Sequence, residues 1–215
     1  MMDYLEEVFS SLRDVLAEKD EVRDLIQECV RSIVRLSKTV LSLIHRGLLE
    51  EARVKAEEFT PLLSKLLELR KLHEEFDYSG SIATAYQEYC EAKALLTYLC
   101  EGRIPSWEEL SSPPIPYVLG LLDMVGELRR LILENIRLGE IEEAERLLKL
   151  MDTIYDESMK IDSPYAASVG LRARLDRVRR VIEATRGELI IEIRRRSLEN
   201  AIRRLEEALR STHIG

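Results

Sequence analysis

Aromatic residues are scarce, at 6% of the 215-residue chain, and Trp107 is the one tryptophan. Three cysteines, Cys29, Cys90 and Cys100, are odd in number, widely spaced and without a CxxC pair or a neighbouring histidine. That pattern excludes a disulfide framework and a zinc site, and leaves each thiol as filler for the core. No apolar run approaches the roughly 20 residues that cross a bilayer. Hairpin dipeptides and strand alternation are missing, as is any Gly-, Ser- or Pro-rich linker between domains. The first residues, Met1-Met2-Asp3-Tyr4-Leu5-Glu6-Glu7, carry acids where a signal peptide carries bases, so a cytoplasmic protein is expected.

What remains is 46% hydrophobic and 33% charged, enough to bury a core. Nearly all of it repeats with helical period. Residues 20–46 place Leu25, Cys29, Ile33, Leu36, Val40, Leu43 and Ile44 on one face, with Gly47 as a stop. Further helices are expected at 48–76, bent at Thr60-Pro61, at 80–101 after a turn at 77–81, at 116–138, 140–158, 164–186 and 188–210. Ser106-Trp107-Glu108-Glu109 has the form of a capping box opening a short helix. The fold class is therefore all-α, one domain over residues 1–215.

The net charge of −8 speaks against nucleic acid, but the distribution is uneven. Residues 160–196 hold ten Lys/Arg against five Asp/Glu. Arg31, Arg35 and Lys38 follow i, i+4, i+7 spacing along one helix face and make a candidate track for phosphates, although charged helix faces are commonly just solvated. Arg172, Arg177, Arg179, Arg180 and the run 194–196 are weaker candidates.

Two acidic pairs carry the chemistry. Glu88 and Glu91 lie three apart in Gln87-Glu88-Tyr89-Cys90-Glu91-Ala92, and Asp123 and Glu127 lie four apart in Gly120-Leu121-Leu122-Asp123-Met124-Val125-Gly126-Glu127-Leu128. Residues at these spacings share a helix face. Asp123 is the one charged residue from Ile115 to Gly126, and a helix apolar all round is usually buried. A buried carboxylate has to be paired, metal-bound or protonated, so a salt bridge to Arg129 or Arg130 stands beside a metal site. Carboxylates suit Mg²⁺ or Mn²⁺, and His45, His73 and His213 fall outside both signatures. Gly120 and Gly126 flank Asp123 and suggest a close helix approach or a kink.

At these residues, and along Pro116 to Arg130, the chain resembles the translin family and within it the catalytic, Trax-like branch (translin-associated factor X). The likeness extends from about residue 20 to 190. It implies a bundle of about seven helices, a compact prokaryotic or archaeal member, and assembly with copies of itself into a closed, roughly octameric shell. It also implies that Glu88, Glu91, Asp123 and Glu127 bind Mg²⁺ and cleave RNA. Two other functions compete. A non-catalytic translin-type protein would bind RNA or single-stranded DNA with its acids paired to arginines. A MazG-like nucleotide pyrophosphohydrolase would also use two acidic helices, though Asp123-x-x-x-Glu127 departs from that family's Glu-x-x-Asp.

Overall fold

A computed structural model describes residues 2–72 and 80–212, and the described residues contain helices and turns but no strand. Seven helices of eight residues or more are present with one five-residue helix: α1 (Met2–His45), α2 (Leu49–Ala56), α3 (Phe59–Leu72), α4 (Gly80–Glu101), α5 (Pro114–Leu138), α6 (Ile141–Met159), α7 (Pro164–Ser168) and α8 (Leu171–Thr212). They form two compact units, 1–121 and 122–215, whose boundary falls inside α5.

In the first unit α1 packs against α2, α3 and α4, and α2 also meets α4. The buried stripe of α1 is Ile26, Cys29, Ile33, Leu36, Val40 and Ile44. Leu25, expected on that stripe, is 40% exposed and Ile26 takes its place, a shift of one residue around the helix. Ser37 is buried on the same face, and its hydroxyl donates to the Ile33 carbonyl at 3.0 Å. α1 also starts far earlier than residue 20. Its first turns expose Leu5, Phe9, Leu12 and Leu16, so this stretch forms its helix without the buried stripe that marks residues 26–44.

The expected helix over 48–76 is instead two helices, and the break lies at Glu57-Glu58 rather than at Pro61. Proline in the first turn of α3 forgoes an N–H that has no partner there anyway. The anticipated turn at 77–79 lies outside the described residues. At 106–109 both halves of the capping box form: Ser106 N–H donates to Glu109 Oε2 at 2.7 Å and Glu109 N–H to Ser106 Oγ at 3.2 Å. A turn results rather than a helix, because Ser111 goes left-handed at φ 49° and Pro113 follows.

In the second unit α6 and α7 both pack on α8. Leu147, Met151 and Ile154 of α6, and Leu171, Leu175, Val178, Ile182 and Leu189 of α8, are buried. The expected helices 164–186 and 188–210 are divided differently. The chain breaks at Gly170, whose φ of +84° only glycine adopts easily, and then runs through Gly187 as one helix of 42 residues. Ser163 caps α7 by accepting from Ala166 N–H at 3.4 Å, with Pro164 in the first turn. Beyond residue 190, Ile191, Leu198, Ile202, Leu205 and Leu209 are exposed at near-heptad spacing. Among the described residues no helix is long and apolar enough to cross a membrane.

Candidate metal centre and nucleic-acid interface

α4 is buried on most of its circumference: Ala85, Tyr86, Tyr89, Cys90, Ala92, Ala94 and Leu95 are all inside. Glu91 is buried with them at 9% exposure, and Glu88 one turn earlier is half-buried. A carboxylate so placed is held rigidly by its helix and loses much of its water. Its neighbours are held just as firmly. The Tyr89 ring meets Phe59 edge-on with centroids 4.8 Å apart, and burial pushes its phenol pKa up. The Cys90 thiol donates to Ser112 Oγ at 3.1 Å, which donates to the Pro113 carbonyl at 3.1 Å. Burial drives the Cys90 pKa up to about 12, against the lowering effect of that hydrogen bond. Cys29 is likewise buried, but Cys100 is exposed, so only two of the three thiols fill core.

The start of α5 belongs to the same unit and lies directly on α4. A Cβ on Gly120 would come within 2.6 Å of the Gln87 carbonyl oxygen, 2.8 Å of Cys90 Cβ and 3.1 Å of Glu91 N. Real Cβ atoms do not approach that closely, so glycine is what lets α5 touch α4 beside the first acidic pair. Tyr117 fixes the approach from one turn earlier, donating to the Pro105 carbonyl at 2.8 Å. Gly126 is different: it is exposed and no described atom lies within 4 Å of its hypothetical Cβ. Of the two glycines expected to serve close packing, one does.

In the second unit Asp123 and Glu127 lie one turn apart on α5, both half-buried. The apolar sequence around Asp123 suggests full burial, yet its side chain is 32% exposed. Ile115, Tyr117, Val118, Leu119 and Leu121 are likewise only half-buried. Asp123 Oδ1 accepts a hydrogen bond from Arg174 of α8. Arg129, the partner suggested by sequence proximity, turns elsewhere: it donates to Thr185 Oγ1 at 2.7 Å and to Glu188 Oε1 at 2.8 Å. Arg174 lies 51 residues from Asp123, beyond the reach of any local spacing rule. One signal was available: it sits between Leu171 and Val178 at the spacing of the buried stripe of α8.

Each unit thus supplies one carboxylate pair. Among the described residues no group of three or more His, Cys, Asp or Glu is arranged to hold a metal ion. By donor chemistry the four acids fit a hard divalent cation, since all are oxygen ligands and the described histidine, His45, lies at the far end of α1. Arg31, Arg35 and Lys38 are all exposed along α1, as their spacing requires.

The profile of the Translin family matches residues 21–186. An uncharacterised protein of Methanocaldococcus jannaschii is 32% identical over 200 residues, covering 92% of this chain and 88% of that one. The translin-associated protein X homolog of Schizosaccharomyces pombe is 26% identical over 172 residues, 74% of each chain. Among solved structures, AfC3PO in complex with duplex RNA matches with a TM-score of 0.77 at 29% identity, over 87% of this chain and 97% of that one. Apo-NeC3PO matches with a TM-score of 0.72 at 29% identity, over 84% and 96%. The matched family is not that of the MazG-like enzymes.

Proposed function

Because the chain belongs to the translin family, we propose that it is a Mg²⁺- or Mn²⁺-dependent endoribonuclease that binds RNA and works as an assembly of identical subunits. Glu88, Glu91, Asp123 and Glu127 are its ion-holding and catalytic residues, and residues 1–215 act as one functional domain. The observation that carries this reading is the contact at Gly120. It presses α5 onto the backbone of Gln87–Glu91, and Asp123 and Glu127 follow Gly120 at i+3 and i+7 along the same helix, spacings that keep to one face. A set of carboxylate oxygens suits a hard divalent cation.

A divalent ion held by these carboxylates would supply stabilisation of the charge that develops on a phosphodiester under attack. The chain's own groups do the rest. Glu91 is held rigidly in buried α4, and Asp123 and Glu127 are only half-buried on α5. A carboxylate of this set accepts a proton from the attacking water. Arg31, Arg35 and Lys38 bind the phosphate backbone, a contact that positions RNA without reading its sequence. AfC3PO, a relative at 29% identity, forms a complex with duplex RNA, which supports RNA as the substrate class. The exposed apolar stripes at the start of α1 and the end of α8 support burial between copies, because monomers rarely leave such surface in water.

The test is cleavage of labelled RNA by the wild type, Glu91→Gln and Asp123→Asn, with Mg²⁺ or with EDTA. Folded variants that cut at the parental rate overturn the proposal. One observation favours a second reading, an RNA- or single-stranded-DNA-binding protein without catalysis: Asp123 already has a cation beside it, in Arg174. Calorimetric titration separates the two, since only the enzyme takes up Mg²⁺ or Mn²⁺ at these carboxylates.

A further inference from the structure

The break between α2 and α3 opens a groove of about 410 Å³ against α1, within the size range of small-ligand sites, about 300–1,000 Å³. Its composition is uneven in a useful way. Leu36, Pro61 and Leu62 give it an apolar lining, Ser32 and Thr39 add hydroxyls, and Arg35 and Lys55 bring positive charge from two different helices. Arg35 is also the middle member of the exposed Arg31–Arg35–Lys38 row. The groove therefore opens off the track already assigned to phosphates, and Lys55 adds a cation that the row alone lacks. One acid lies inside it: Glu58, whose Oε1 accepts from Lys55 Nζ at 2.7 Å. That pair is well exposed, with side chains 40% and 57% accessible, and an ion pair of this kind is weak. A phosphate, carrying full charge and several acceptor oxygens, competes for Lys55 on favourable terms.

We propose that this groove is a subsite for one nucleotide of the RNA chain, with its phosphate held between Arg35 and Lys55 and Glu58 as the internal competitor that the phosphate displaces. The sugar or base rests on Leu36 and Pro61. The Ser32 and Thr39 hydroxyls face it; Thr39 Oγ1 donates to the Arg35 carbonyl at 3.0 Å, which leaves its lone pairs to accept from a ribose hydroxyl. The proposal rests on RNA being the ligand, and it concerns binding alone.

It is tested by measuring the affinity of labelled RNA for the full chain in EDTA, across a salt series, for the wild type, Lys55→Gln, Arg35→Gln and Glu58→Gln. Removing a phosphate contact weakens binding at every sequence and lowers the slope of log K against log salt by about 0.7–0.9, so Lys55→Gln binds about fivefold more weakly near 0.1 M salt. Glu58→Gln moves the other way, tightening binding at low salt, because it frees Lys55. A purely structural ion pair gives no such opposition, since either substitution breaks it equally. Unaltered melting temperatures establish that the exposed substitutions leave the fold intact. A wild type that binds RNA while Lys55→Gln and Glu58→Gln leave affinity unchanged, or shift it in the same direction, overturns the subsite alone. A wild type that binds no RNA overturns both the subsite and the function it rests on.

Discussion

Replacing Gly120 by alanine puts a number on the contact that brings α5 onto α4. The added Cβ would stand 2.6 Å from the Gln87 carbonyl oxygen and 2.8 Å from Cys90 Cβ, where carbon contacts are comfortable at roughly 3.5–4.0 Å. Neither neighbour yields cheaply. The Gln87 oxygen is part of the α4 backbone, and Cys90 is buried and tied to Ser112. Overpacking of this kind costs about 1–3 kcal/mol, and a clash against backbone belongs at the upper end. Alanine returns about 1 kcal/mol of helix propensity, leaving a net loss of about 2 kcal/mol. At about 2–4 °C per kcal/mol for a chain of this size, the melting temperature falls by about 4–8 °C. Gly126→Ala is the internal control. It lies in the same helix, meets no described atom within 4 Å, and so keeps only the propensity gain, about 0.5–1 kcal/mol. Calorimetric melting of the two variants beside the wild type should move in opposite directions. If Gly120→Ala stabilises as Gly126→Ala does, the helices are not in contact there and the support for the catalytic proposal goes with it.

The Asp123–Arg174 pair is about a quarter to a third exposed, so its coupling in a double-mutant cycle of Asp123→Asn and Arg174→Ala should be about 1 kcal/mol, well short of a fully buried pair; additive effects on stability would mean the contact contributes nothing. A maleimide at pH 8 should label native protein at Cys100 and reach Cys29 and Cys90 only after denaturation, as mass spectrometry of the labelled peptides would show. Cys90 also sets an alkaline limit. Burial lifts its folded pKa to about 12, from about 9 for an exposed thiol, so its contribution is intact below pH 9 and is lost as pH climbs toward 12; Cys90→Ala should show a shallower alkaline decline in urea titrations. Finally, Glu91→Gln should lower RNA cleavage by about 10²–10³-fold while leaving RNA affinity in EDTA unchanged, and a parallel loss of binding would contradict its catalytic assignment.

Local signals carried the sequence reading where they were dense. α4 has its expected limits because Gly80 and Gly102 bracket a closed apolar run; α5 ends as expected before Gly139 but starts two residues early, because Pro114, expected to break the chain, serves as its first residue. Where the signal was one residue deep, it misled. Gly187 reads as a stop, yet a lone helical glycine costs only about 1 kcal/mol, which the flanking buried Ile182 and Leu189 offset. The early turns of α1 have no buried stripe, so periodicity could not find them. The capping box at Ser106 is correct chemistry without the helix it advertises, since Ser111 and Pro113 close the space. The two acidic pairs were legible as pairs because residues three or four apart must share a helix face. Arg174 was not, because nothing local links α5 to the first turn of α8. The Lys55–Arg35 groove was hidden for the same reason: its walls come from separate helices.

The seam between the two compact units falls between Leu121 and Leu122, well inside the 25 residues of α5. Most multi-unit chains are joined by loops, where cutting, insertion and recombination are tolerated. Here a cut at the seam would leave fresh helix ends, with four carbonyls on one side and four N–H groups on the other without partners. A break there would therefore fray α5 on both sides, and a protease has no loop to enter at the division.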